Sequence, residues 1–240
     1  MRLKVDVIVT GGPSSTGAAK EATATIPIVM AFDTDPVGNG FVASLARPGR
    51  NITGLSTVAP DISSKQLELL KEIVPKLSLV AVFGGNTTGN KQALRDIELA
   101  AKAFGVKLQH VDLRGSKDIE TGFEAANKGR ADAVLVLSNV YTLAQKTQVA
   151  ELAVKSRLPV IFPQREYVEA GGLMTYGVSL TDLYRRAASY IDKILKGTKP
   201  ADIPVEQPIK FEFIINLKAA KQIGLTIPPN VLARADKVIK

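Results

Sequence analysis

Two short runs, Leu79-Val80-Ala81-Val82-Phe83 and Ala133-Val134-Leu135-Val136-Leu137, are apolar at every position. A strand with one wet face alternates apolar and polar residues, so an unbroken apolar run belongs to a strand buried on both faces. In a globular chain that means a parallel sheet covered by helices on each side. Strands are predicted at 5–10, 26–31, 52–56, 78–83, 106–111, 132–137, 159–162, 173–178 and 209–215. Between them apolar residues fall three and four apart, the spacing of one helix face. One set is Leu67, Leu70, Ile73 or Val74, and Leu77, a second is Leu94, Ile97, Ala101 and Phe104, and a third is Leu183, Ala187, Ile191 and Ile194. Gly105 and Gly197 follow the second and third sets and read as helix stops. The predicted fold class is α/β.

Parallel sheets present their ligand loops at the carboxyl ends of the strands. The segments in that position are Gly12-Pro13-Ser14-Ser15-Thr16, Phe32-Asp33-Thr34-Asp35-Pro36 and Gly84-Gly85-Asn86-Thr87-Thr88-Gly89, then Ser138-Asn139-Val140-Tyr141 and Phe162-Pro163-Gln164-Arg165-Glu166. These are small, polar groups suited to hydrogen-bonding a small zwitterion or polyol. They fall into two clusters, before residue 57 and after residue 78, with Val58-Ala59-Pro60-Asp61 as a crossover and Asp61 as cap of the next helix. Two lobes are expected.

The first loop has the Gly-x4-Gly spacing of a phosphate-binding loop, from Gly12 to Gly17. That chemistry needs a Lys directly after the second Gly and then Ser or Thr for Mg²⁺. Here Ala18 and Ala19 stand there, and Pro13 removes an N–H donor. Two readings stay open: an anion held at a helix N-terminus, or Ser14 or Ser15 serving only as an N-cap.

The charge of +8 over 240 residues directs attention to anionic partners. The lysines and arginines are scattered, aromatics make up only 5% and Trp is absent, so a stacking platform for single-stranded nucleic acid is missing. With no Cys, disulfides and thiolate metal sites are excluded. No apolar run approaches the about 18–20 residues that span a bilayer. His110 stands alone near a strand end and reads as structural. Gly38-Asn39-Gly40-Phe41-Val42-Ala43 satisfies GxGxxA but does not directly follow a strand, so it is not read as a dinucleotide site. Asp33-Thr34-Asp35 is the most enzyme-like feature. It is either a metal-holding pair, as in a metal-dependent glycosyltransferase-like enzyme, or one cap and one ligand contact. Arg165-Glu166 reads as an ion-paired loop or, less simply, as a general base beside a cation. No cofactor or metal is expected, and the chain is not read as an enzyme.

The end of the chain carries a resemblance. Ile215-Asn216-Leu217-Lys218-Ala219-Ala220-Lys221, Gly224-Leu225-Thr226-Ile227-Pro228-Pro229 and Leu232-Ala233-Arg234-Ala235-Asp236-Lys237-Val238-Ile239 closely resemble the C-terminal signature of a bacterial family. The family is the ABC-transporter substrate-binding proteins of the tryptophan/tyrosine-binding-like kind, with a type 1 periplasmic-binding fold. Asp33-Thr34-Asp35-Pro36-Val37-Gly38, Leu45 to Gly54 and Leu195 to Val205 are further matches. The resemblance covers essentially the whole chain.

It implies a two-lobed α/β receptor with parallel sheets flanked by helices. The receptor closes on a small solute in the interlobe cleft, delivers it to a membrane permease, and sits in the periplasm. Lobe one would hold 1–57 and 177–202, lobe two 58–176 and 203–240. The ligand residues implied are Pro13, Ser14, Ser15, Asp33 and Asp35 from the first lobe. From the second they are Asn86, Thr87, Thr88, Ser138, Asn139, Gln164, Arg165 and Glu166. Where the aromatic-amino-acid binders tend to have Ser-Asp, this chain has Gln164-Arg165-Glu166, and the Arg directs the expectation to an anionic or carboxylate-bearing solute. Met1-Arg2-Leu3-Lys4 leads straight into a strand with no visible signal peptide. Family members typically have a further strand–helix–strand–helix unit before Val5, so the first lobe is expected to be incomplete. Its edge, with Val5, Val7, Ile8 and Val9, is then expected to be exposed and open to dimerisation. The effector-binding domain of a transcription regulator shares the type 1 fold and stands as a further alternative.

Overall fold

In the computed structural model residues 4–57, 62–85 and 88–240 are described. The elements run β1 (Ile8–Gly11), α1 (Pro13–Ala22), β2 (Ile28–Phe32), β3 (Ile52–Gly54), α2 (Ile62–Ile73), β4 (Leu79–Gly84) and α3 (Thr88–Phe104). They continue with β5 (Lys107–Asp112), α4 (Asp118–Lys128), β6 (Ala133–Val136), α5 (Val140–Ala144), α6 (Lys146–Lys155), β7 (Val160–Phe162) and α7 (Arg165–Glu169). Last come β8 (Met174–Val178), α8 (Leu180–Leu195), β9 (Phe211–Asn216), α9 (Leu217–Gln222), α10 (Pro229–Leu232) and β10 (Lys237–Ile239). Asp61, expected to cap α2, lies outside the described residues.

The chain divides into two compact units, Met1–Ala59 with Ser179–Lys210, and Pro60–Val178 with Phe211–Lys240. The last crossing falls at Lys210, later than the expected 203–205. Hydrogen bonds hold that segment to the first unit: Val205 N–H to Leu45 O (2.7 Å), Glu206 N–H to Gly54 O (3.2 Å) and Ser56 N–H to Glu206 O (2.9 Å).

The second unit is a seven-stranded sheet in the order β10-β9-β8-β7-β6-β4-β5. All its pairs are parallel except β8 with β9. Its central strands show why unbroken apolar runs are needed. On β4, Val80 and Val82 pack into a core with Leu67, Leu70, Ile97 and Ile215. Ala81 and Phe83 point to the other face, into a core with Ile119, Phe123, Val149 and Tyr167. Side chains alternate across a strand, and both faces are dry. β10 pairs in register with β9, Lys237 opposite Ile214. No strand was expected there, because a three-residue strand that begins with Lys237 and is followed by Lys240 has no apolar run to show.

The first unit has a three-stranded parallel sheet, order β1-β2-β3, built around Ile28, Met30, Ile52, Phe41, Val42 and Val205. β1 pairs with β2 alone among the described residues, and its Val9 is 47% exposed. α8 packs on β2 through Leu183, Ala187 and Tyr190, all buried, while Ile191 is only partly so. Tyr190 displaces the expected Ile191 from the stripe because its hydroxyl reaches Pro204 O at 3.0 Å, leaving its ring free to pack.

Gly54 ends β3 at φ 137°, and a Cβ there would overlap the Met30 carbonyl oxygen. Gly54→Ala must therefore shift the β2–β3 pair and should cost ~3 kcal/mol from overlap and backbone strain. Urea unfolding checks it. A loss below ~0.5 kcal/mol would mean that the two strands separate without penalty.

Candidate functional site

Loop geometry in the first unit starts from Gly12, which takes φ 88°, ψ 165° as N-cap of α1 and offers no side-chain cap. Only glycine enters that region without strain. Pro13 occupies the first turn, where an absent N–H is harmless. Neither Ser14 nor Ser15 is the N-cap, which removes the plain capping reading. Ser15 Oγ instead accepts from Gly11 N–H at 3.1 Å and lies 2.9 Å from Gly11 O and 3.0 Å from Gly12 O. Ser14 is exposed, and the buried Thr16 donates to Gly12 O at 3.0 Å and shares a hydrogen with Thr10 Oγ1 at 2.9 Å. The result is a ten-residue helix whose first turn carries no acidic residue and no side-chain cap. First-turn N–H groups and the helix dipole favour an anion there.

Gly12 N–H donates to Phe32 O at 3.0 Å, so this helix start stands beside the loop that follows β2. There Asp33 is fully buried. Its Oδ1 accepts from Asp35 N–H (2.9 Å) and Asn39 Nδ2 (2.9 Å), and its carbonyl accepts from Thr57 N–H (2.7 Å). Oδ2 is buried with no hydrogen-bond partner among the described residues. Burial pushes the pKa up to about 6, against the pull of the two hydrogen bonds. Asp35 serves the turn instead, its Oδ1 accepting from Gly38 N–H at 2.8 Å and so closing it. The two Oδ1 atoms are thus engaged by the loop itself, which is not how an Asp-x-Asp pair grips a metal. No group of three or more His, Cys, Asp or Glu able to hold a metal occurs among the described residues.

In the second unit, Asn86 and Thr87 lie outside the described residues, as does the side chain of Thr88, the first residue of α3. Asn90, buried, donates to Gly85 O (3.0 Å) and Ser138 O (3.3 Å), tying the loop after β4 to the loop after β6. Asn139 caps α5, accepting from Tyr141 N–H at 2.8 Å and donating to Leu113 O at 3.1 Å. Gln164 is buried at the N-cap position of α7 without capping it.

Arg165 does not pair with its neighbour Glu166, as an ion-paired loop would require. Its Nε and Nη2 donate to Glu169 Oε1 at 3.0 and 2.8 Å, and Nη1 to Glu212 Oε1 at 3.4 Å. One helical turn brings Glu169 onto the same face, whereas adjacent residues diverge. The Glu169 hydrogen bond raises the pKa of Arg165 further. Glu166 Oε2 is buried and unpartnered among the described residues.

Sequence reasoning placed Phe32 and Tyr141 in their loops but missed Tyr184, an aromatic group beside Phe32. Tyr184, half exposed on α8, stands edge-to-face with Phe32 at 6.1 Å, and its hydroxyl occupies the space a Cβ on Gly11 would need. Tyr141 and Val140 are exposed at the start of α5. The available cue was that Tyr184 falls off the apolar stripe of its helix. His110 is exposed on the edge strand β5, 3.4 Å from Glu98. A hollow of about 390 Å³ lined by Ala150, Lys155, Gly171, Asn216 and Lys218 lies at the opposite end of the second sheet from the candidate loops.

A family model described as ABC transporter substrate binding protein matches residues 2–239. The chain is 27% identical over 223 residues to a tyrosine-binding protein of Clostridioides difficile, covering 92% of this chain and 64% of that protein's length. A crystal structure of a conserved domain protein from Vibrio cholerae is 31% identical with TM-score 0.90, covering 98% of this chain and 79% of that one. An ABC domain from Streptococcus pneumoniae in complex with L-Trp is 27% identical with TM-score 0.90, covering 99% and 82%.

The geometry at Asp33 has a stability signature. Its folded pKa of about 6 lies above the ordinary 3.8. Below pH ~4 both folded and unfolded chains hold the proton, and no stability is lost. As pH rises towards 6 the unfolded chain releases its proton first, so stability falls, and above 6 the loss is complete. The loss is at most ~3 kcal/mol. Asp33→Asn removes it, so the variant should gain on the wild type between pH 4 and pH 7.5, read as a widening gap in urea midpoints. A gap independent of pH would mean that the Asp33 charge is already compensated.

Proposed function

Because the chain belongs to the ABC transporter substrate binding protein family, we propose that it is the solute-binding component of an importer. Its fold is α/β, with parallel sheets flanked by helices, and is shared with type 1 periplasmic binding proteins. In this reading it binds a small carboxylate-containing, amino-acid-like solute outside the cytoplasm and hands it to a membrane permease without chemical change. The observation that carries the ligand class is the uncapped start of α1, where free N–H groups and the dipole offer a place for a carboxylate. The relatives point the same way, one being named for tyrosine and another holding L-Trp.

The loops divide into holders and contacts. Ser15, Asp35, Asn139 and Arg165 are engaged within the protein and fix the shape of their loops. Ser14, which is exposed, and Gln164, which does not cap α7, are the groups left to meet a solute. Arg165 then acts by placing α7 against β9, and its two carboxylate partners turn the preference away from a purely anionic solute.

A thermal-shift screen of amino acids and carboxylic acids tests the reading. A hit at ~100 times its Kd adds ~2.7 kcal/mol of stability. Chromatography of the hit after long incubation should return it unchanged. A reaction product, or no stabilisation by any amino or carboxylic acid, would overturn the proposal.

A further inference from the structure

The end of the second sheet opposite the candidate loops carries cations at places where the fold alone favours other residues. β6, β7 and β8 begin there side by side, and β9, antiparallel to β8, ends there. The turns before β6 and β7 put Arg130 and Arg157 at φ 60° and 53°. Glycine takes that conformation without strain, as Gly105 and Gly224 do after α3 and α9. Lys218 stands in the first turn of α9, where the helix dipole opposes a cation. All three are exposed, and none joins an ion pair among the described residues. Asp132, two residues after Arg130, is held instead by Ser78 and Leu79 N–H. Lys128 and Lys155, in the last turns of α4 and α6, add charge that the dipoles do favour.

The hollow of about 390 Å³ lies at this end, and its volume is that of a small-ligand pocket. Lys155 and Lys218 bring it two positive charges and Glu151 one negative, while Ala150, Val154 and Ala170 make part of the wall apolar. Asn216 also lines it and is only 6% exposed. Its Oδ1 accepts from Ala219 N–H at 3.1 Å as the cap of α9, and its Nδ2 donates to no acceptor among the described residues. Buried amide donors are ordinarily met. A net charge of one, an unmet N–H and an apolar wall suit an organic anion of single charge, and a bare inorganic ion leaves most of the space unfilled. A phosphodiester has that make-up. Neighbouring strands stand about 4.8 Å apart, so Arg157 and Arg130 follow one and two strands beyond the start of β8. That row of charge extends past one small anion and suits a surface of many.

We propose that this end of the second unit docks on an acidic phospholipid surface, with the hollow seating one headgroup phosphodiester between Lys155, Lys218 and Asn216. Arg157 and Arg130 meet the next headgroups. A unit held in this way turns its strand-end loops away from the bilayer and towards solution. Because the hollow and the candidate loops occupy opposite ends of the sheet, the docking is independent of which solute the chain binds.

Cosedimentation of the full chain with vesicles tests it. The chain should bind vesicles of phosphatidylglycerol mixed with phosphatidylcholine and pass over those of phosphatidylcholine alone. Raising NaCl from about 0.1 M to about 1 M shortens the screening length from about 10 Å to about 3 Å and should release it. Lys155→Gln with Lys218→Gln should weaken binding by ~20-fold, from ~5-fold for each charge removed near such a surface. Asn216→Asp keeps an oxygen to cap α9 but replaces the donor with a charged acceptor. It should lose at least ~5-fold in vesicle binding with an unchanged urea midpoint. Soluble glycerophosphoglycerol should bind the wild type by calorimetry and fail to bind Asn216→Asp. Vesicle binding that survives the lysine pair and the Asp variant would mean that charge alone adheres and the hollow seats no headgroup, which overturns the proposal. Equal binding to phosphatidylcholine alone, or no binding to either vesicle, would also overturn it. So would capture of glycerophosphoglycerol without vesicle binding, which would make the ligand a free phosphodiester.

Discussion

Burial of both faces of each central strand is the constraint on which the molecule depends. Once Val80 and Val82 face one core and Ala81 and Phe83 the other, every neighbouring strand must be reached by a crossover that covers a face. Crossovers return the chain to the same end of the sheet each time. The loops that leave the strands therefore accumulate at the other end, where side chains can be polar without disturbing either core. The polar residues Asp33, Asn139 and Gln164 follow from this, each standing just beyond a dry strand.

The same constraint explains why loop side chains look inward to backbone as often as outward to solvent. A loop leaving a strand of four to six residues has few contacts of its own, so Asn90, Asn139 and Asp35 hold it with hydrogen bonds to main-chain groups. Among the described loop residues, what remains after this self-bonding is small: a helix start without a cap and two carboxylate oxygens without donors. A polar residue at a strand end is thus a weak indicator of contact with a solute. The unsatisfied atom is a stronger one.

Element type was legible because it rests on local period. The runs around residues 80, 134 and 161 announced buried strands, and Gly105 and Gly197, at φ 68° and 98°, end the helices they were expected to end. What failed depended on partners distant in sequence. Glu212 reaches Arg165 across 47 residues, and no pattern near Arg165 announces it. Tyr190 replaces Ile191 because of a carbonyl at Pro204. The segment around Val205 belongs with the first unit because of Leu45 and Gly54, more than 150 residues earlier. β10 is too short to show a period and exists because Asp236 and β9 bond to each other, Phe213 N–H donating to Asp236 Oδ2 at 2.7 Å. Within the site, the Asp33 loop could be found from its position after an apolar run. Which donors meet each of its two carboxylates could not, since that is decided by Gly38 and Asn39 in the folded turn.

Each unit is assembled from two separated stretches of chain, with Ser179–Lys210 completing one and Phe211–Lys240 the other. On the ribosome, β1 to β3 emerge early, yet α8, which covers β2, follows only after Pro60–Val178 has been made. At ~5–20 residues per second that is a wait of several seconds with Ile28, Met30 and Ile52 lacking part of their cover. The second sheet waits in turn for β9, which must pair antiparallel with β8. Neither unit can be finished before the other has begun. The chain therefore completes its two cores almost together, only after Ser179–Lys210 and β9 have been made.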